Sequence, residues 1–153
     1  MKEVEINMSD LSDFLRKKKA EYEQEQVDWN KVKIEWLKQL KEFTENIKSW
    51  LEQSQKEGLI KIVEKEIEIK EEHIGNYKAP SLELIIGTES IKITPVGRLI
   101  IGAKGRVDIS SFINRFIVLQ HSEKGWIYRN EGKKGNFQAF SEESFTKLLE
   151  ELV

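Results

Sequence analysis

Cysteine is absent from the 153 residues, so neither a disulfide nor a thiolate metal site is available, and nothing argues for an oxidising compartment. Histidine is scarce. His73 and His121 are the only two, too isolated for a histidine-rich metal centre. Neither stands near a nucleophile motif such as G-x-S-x-G, so no Ser-His-Asp set can be drawn. Long apolar runs are missing, and no membrane-spanning helix is expected. The first residues, Met1 to Asn7, lack the apolar centre of a signal peptide, which leaves a cytoplasmic location as the expectation. An excess of one charge is missing too. Lys and Arg number 25 against 27 Asp and Glu, so no bulk attraction to nucleic acid follows. No cofactor motif is legible, and the chain does not read as an enzyme.

Turn formers are missing locally. No Gly or Pro precedes Gly58, and the stretch is rich in Lys, Glu, Gln and Leu. That composition predicts helix over residues 9–58, with Ser9 or Asp10 capping its start. Leu11, Phe14, Leu15 and Tyr22 give a thin apolar stripe, and Arg16 to Gln26 is almost wholly polar. Trp36, Leu40, Phe43, Ile47 and Trp50 follow a 4-3-4-3 spacing, widened by Leu37 and Leu51. This stripe packs on the following sheet, or it associates with a second copy or a partner helix. Asp28 offers a second cap, so residues 27–30 are a kink or short turn. One long, bent helix is favoured over a helical hairpin, because a two-residue turn without Gly is tight.

After Gly58 the period changes from helical to alternating. Residues 59–63 and 66–70 read as strand, with a shift of apolar phase that implies a bulge or a bend. Residues 72–81 read as a loop. Three hairpins follow: 82–86 with 90–94, 98–101 with 106–109, and 115–120 with 126–129. Pro95 is read as ending its strand. Residues 137–140 add a short closing strand. Ser141 caps a last helix whose face is Phe145, Leu148, Leu149 and Leu152. The sum is one α+β domain over 1–153: a helical segment (9–58), a curved antiparallel sheet or partial barrel of seven or eight strands (59–140), and a C-terminal helix (141–152). Strands closed by one amphipathic helix resemble, in order of elements only, the pleckstrin-homology-like architecture. The long leading helix is not part of that pattern.

Gly97, Gly102 and Gly105 do not make a phosphate cradle, because a strand follows them instead of a helix N-terminus. They read as turn geometry. Gly105-Arg-Val-Asp-Ile109 resembles the aspartate-bearing strand of the restriction-nuclease-like superfamily. That resemblance implies a metal-dependent hydrolase centred on Asp108. The next strand, Phe116 to His121, lacks the acid and the lysine the pattern requires, and Glu123 and Lys124 lie beyond it. The alternative is that Asp108 binds a backbone amide or pairs with Arg98 or Arg106.

Charge is uneven along the chain. Between Arg98 and Lys134 stand eight basic residues, Arg98, Lys104, Arg106, Arg115, Lys124, Arg129, Lys133 and Lys134, against the acids Asp108, Glu123 and Glu131. Such a segment suits an anionic partner, whether nucleic acid, an acidic protein or a lipid headgroup. It equally suits protection of exposed strand edges. The first functional expectation is a non-enzymatic interaction module of adaptor or inhibitor type, with an unidentified protein partner and a homodimer among its forms. Polyanion binding through 98–134 is the second, and the hydrolase around Asp108 the third.

Overall fold

Trp36 and its helix set the frame. The computed structural model describes residues 8–24, 27–133 and 135–153. The helical segment is two helices, α1 (Met8–Gln24) and α2 (Trp29–Lys56), and not one bent helix. Asp28 is extended, and its side chain accepts a hydrogen bond from the Lys31 amide at 3.1 Å, so it starts α2 afresh. The cap expected at Ser9 or Asp10 falls inside α1, and the residues before Met8 lie outside the described set. At its far end α2 closes with a paired-bond cap. Gly58 donates to the Gln55 carbonyl at 3.0 Å and Leu59 to the Ser54 carbonyl at 2.9 Å.

Seven strands follow: β1 (Lys61–Glu71), β2 (Gly75–Ile86), β3 (Glu89–Gly97), β4 (Arg106–Ser110), β5 (Arg115–His121), β6 (Gly125–Asn130) and β7 (Gln138–Ala139). They form one antiparallel sheet in sequence order, not closed into a barrel, before α3 (Glu142–Leu152).

Three details of this sheet differ from the sequence reading. Residues 75–81 are strand, not loop, because Tyr77 and Ala79 alternate inward against Ile69 and Ile67 of β1. Pro80 is tolerated where β1 is the only ladder partner of β2. Pro95 does not end β3, which runs on to Gly97 through a register shift between those two residues. The partner of 106–110 is therefore 92–97, and residues 98–105 form the connecting loop. The phase shift in β1 comes from neither a bulge nor a break. The β1–β2 register is continuous from Lys61↔Ile85 to Glu71↔Gly75. The inward set of β2 also changes phase, from Tyr77, Ala79 and Ser81 to Leu82 and Leu84, so the two-stranded ribbon coils as a unit.

The core lies between one face of this sheet and α2, with α3 completing it. Trp36, Leu40, Phe43 and Ile47 are buried, and Trp50 is half-buried against Phe140 and Phe145. The stripe that sequence offered either to the sheet or to a partner thus belongs to the core. Rings join three elements: Phe43 meets Trp126 at 4.4 Å and Phe140 at 5.2 Å, and Phe140 meets Phe145 at 6.0 Å. Ser141 caps α3 reciprocally with Ser144. Burying Phe145, Leu148 and Leu152 stabilises by about 1.5–3 kcal/mol each before entropy costs. No described helix is long and apolar enough to cross a membrane.

Candidate functional site

Strand alternation sends Val107 and Ile109 into the core and Arg106 and Asp108 to the opposite face. There the Arg106 guanidinium donates from Nε to Asp108 Oδ1 at 2.7 Å and from Nη2 to Oδ2 at 3.1 Å. Those hydrogen bonds, before any other cause, hold the Arg106 pKa above its ordinary value. Arg115 approaches the same carboxylate at 3.7 Å and Glu131 at 3.7 Å. Asp108 is therefore engaged on both oxygens by cations, which is a sheet-face ion cluster. Among the described residues, no group of three His, Asp or Glu is placed to hold a metal.

The basic residues of 98–134 are dispersed. Arg106 and Arg115 belong to the Asp108 cluster, and Lys133 pairs with Glu151 of α3 at 3.8 Å. Arg129 lies over the Phe137 ring, 4.9 Å from its centroid. Arg98, Lys104 and Lys124 sit at the end of the sheet that carries the β3–β4 loop and the β5–β6 turn. Lys134 lies outside the described residues.

That end holds the most elaborate polar arrangement among the described residues. Glu71, at the close of β1, accepts the Arg98 amide at 2.9 Å and the Leu99 amide at 2.8 Å on Oε1. Its Oε2 accepts the Tyr77 hydroxyl, which in turn accepts Trp36 Nε1 at 3.1 Å. Burial first, and the Glu71 carboxylate second, push the Tyr77 phenol well above its ordinary pKa. The loop backbone fits this clamp only without side chains at two points. A Cβ on Gly97 would lie 2.8 Å from Glu71 Oε1. One on Gly105 would lie 2.2 Å from the Trp36 ring. Between these anchors the loop closes on a bridge from Ile100 to Ala103 and leaves Ile101 fully exposed. Trp29 stacks on His73 at the same end, centroids 4.9 Å apart.

The opposite end carries the turn at 111–114, where Phe112 is fully exposed beside Ile113. An open groove of about 710 Å³ runs next to it, lined by Lys92, Ser110, Arg115 and Leu152 among others. On α1, Leu11, Phe14 and Leu15 are 46%, 55% and 55% exposed. The sequence reading missed Glu71, Tyr77, Ile101 and Phe112. Only the unbroken apolar triplet Leu99-Ile-Ile101 before Gly102 signalled any of them, and its β-type residues ahead of a glycine turn made it look like a hairpin strand. No protein-family model, curated protein or solved structure matches this chain.

Proposed function

We propose that this chain is a non-enzymatic protein-interaction module of adaptor or inhibitor type, with α1 as its contact arm. The observation that carries this reading is the exposed stripe of Leu11, Phe14 and Leu15 on a helix separate from α2. Helices in proteins draw most of their stability from packing an apolar face, and this face of α1 is exposed. Its exposed ion pairs, Asp13–Arg16 at 3.1 Å and Lys18–Glu21 at 3.7 Å, add only a few tenths of a kcal/mol each. A partner that covers the stripe supplies what α1 lacks. A second copy presents a matching face, so a homodimer is the simplest assembly.

The test is sedimentation equilibrium on the wild-type chain and on Leu11→Glu/Phe14→Glu. Self-association that rises with concentration and is lost in the double variant is expected, with an unchanged melting temperature for the sheet domain. A monomeric mass at every concentration would remove the homodimer and leave a different protein as partner. In that case the two chains are compared in pull-downs from the native cell, and a partner set unaffected by the double variant would overturn α1 as the arm.

A further inference from the structure

We propose a second contact, independent of α1: the β3–β4 loop, residues 98–105, docks on an anionic membrane surface. Ile101 and Leu99 enter the headgroup boundary, and Arg98 and Lys104 meet the lipid anions.

The loop turns back on itself at the Ile100–Ala103 bridge and carries its apolar side chains outward. Its tip is aliphatic. Ile101 is fully exposed and Leu99 is 39% exposed. Aliphatic tips do not stack on bases, which separates this surface from a single-stranded nucleic-acid platform. The flanks are cationic. No acid occurs from Val96 to Val107; Lys104 is exposed, and Arg98 is half-buried with its charge acting on the Tyr77 phenol. Glu71 accepts two loop amides and the Tyr77 hydroxyl, while Glu72 and Glu123 stand in the two neighbouring turns, flanked by Lys70 and Lys124. An apolar tip flanked by the exposed Lys104 and the half-buried Arg98 is a composition that anionic bilayer interfaces take up.

Rigidity points the same way. The Glu71 clamp, the Ile100–Ala103 bridge and the Trp36 ring against Gly105 fix the loop backbone before any contact is made. Ordering costs on docking fall accordingly. Trp29, half-buried on His73 at the same end, adds an indole suited to an interface. The Phe112 turn at the opposite end has carboxylates among its neighbours, since Glu89 and Glu131 line the grooves beside it and Arg115 there is shared between Asp108 and Glu131.

The test is co-sedimentation of the full chain with vesicles of phosphatidylcholine, with and without about a quarter phosphatidylglycerol. Binding to the anionic vesicles at low salt is expected, falling as salt rises. Ile101→Asp should weaken it roughly tenfold or more, with an unchanged melting temperature because the side chain touches nothing. Arg98→Gln/Lys104→Gln should weaken it and flatten its salt dependence. The Leu11→Glu/Phe14→Glu chain should still bind, which keeps this contact distinct from the α1 arm. Because the chain has no cysteine, Ile101→Cys accepts a single environment-sensitive dye. Its emission should shift to the blue on anionic vesicles, whereas a dye at Thr88→Cys, on the opposite end, should not respond. Absence of binding at low salt, binding unaffected by Ile101→Asp, or a dye at 101 that stays in water would each overturn the proposal.

Discussion

Gly105 is where one atom decides whether the domain closes. Its φ of +139° and the Trp36 ring at its α-carbon leave no room for a methyl group. Gly105→Ala should therefore cost about 3 kcal/mol, from backbone strain and overpacking together. Urea denaturation measures it, with Gly135→Ala as control. Nothing lies within 4 Å of a Cβ at Gly135, so that change should stay within about 0.5 kcal/mol. The sequence read Gly105 as part of a hairpin turn with positive φ; the positive φ is there, but the turn is at 101–102 and Gly105 leads into β4. The other half of its role was hidden, because Trp36 stands far away in the chain and only the folded sheet brings the two together. Glu71 was hidden for the same reason. In the sequence it ends an acidic run that reads as a solvated face, and its amide partners at 98 and 99 meet it only across the β1–β2–β3 turn-back. Asp108 was more legible: Arg106, two residues away on the same strand face, was one of the partners the sequence offered, and the structure pairs them.

Elements were legible where period and punctuation agree. The hairpins at 82–94 and 115–129 have apolar, β-type strands around Gly87 and Gly125, and both form. The last helix has its cap and its four-residue face, and it forms too. Reading failed where turn formers sit inside a ladder. Gly75-Asn-Tyr-Lys-Ala-Pro80 has loop composition, yet β1 offers it an unbroken partner. Pro95 looks like a stop, yet β3 absorbs it just before a register shift. The break between α1 and α2 was signalled only by Asp28. That residue gives a direct test. Asp28→Ala removes the acceptor for the Lys31 amide and should cost about 1 kcal/mol, seen as a lower urea midpoint with an unchanged slope. The loss belongs to the first turn of α2, so the Trp29–His73 stack should loosen with it.

The whole molecule feels Tyr77 through pH. Its phenol has an unfolded pKa near 10, and the fold raises it by burial and by the Glu71 carboxylate. Stability from this group is complete below about pH 10 and is lost as pH rises beyond it, because the unfolded chain releases the proton first. The wild-type urea midpoint should therefore fall steeply above pH 10. Tyr77→Phe should be about 1–2 kcal/mol less stable at neutral pH, with Trp36 Nε1 left unpaired, but should lose that alkaline slope. An equally steep alkaline slope in Tyr77→Phe would contradict this account. At the same scale, the strand order has a kinetic consequence. Every ladder in the sheet joins neighbours in sequence, from β1 through β7. Each pairing closes only the short connection between its own two strands, so little chain entropy is spent before the next contact forms. The sheet can zip outward from any of its hairpins, in either direction, without waiting for a distant segment to arrive. The long-range search is left to α2, whose aromatic seam must find Phe140 and Phe145 near the other end of the chain.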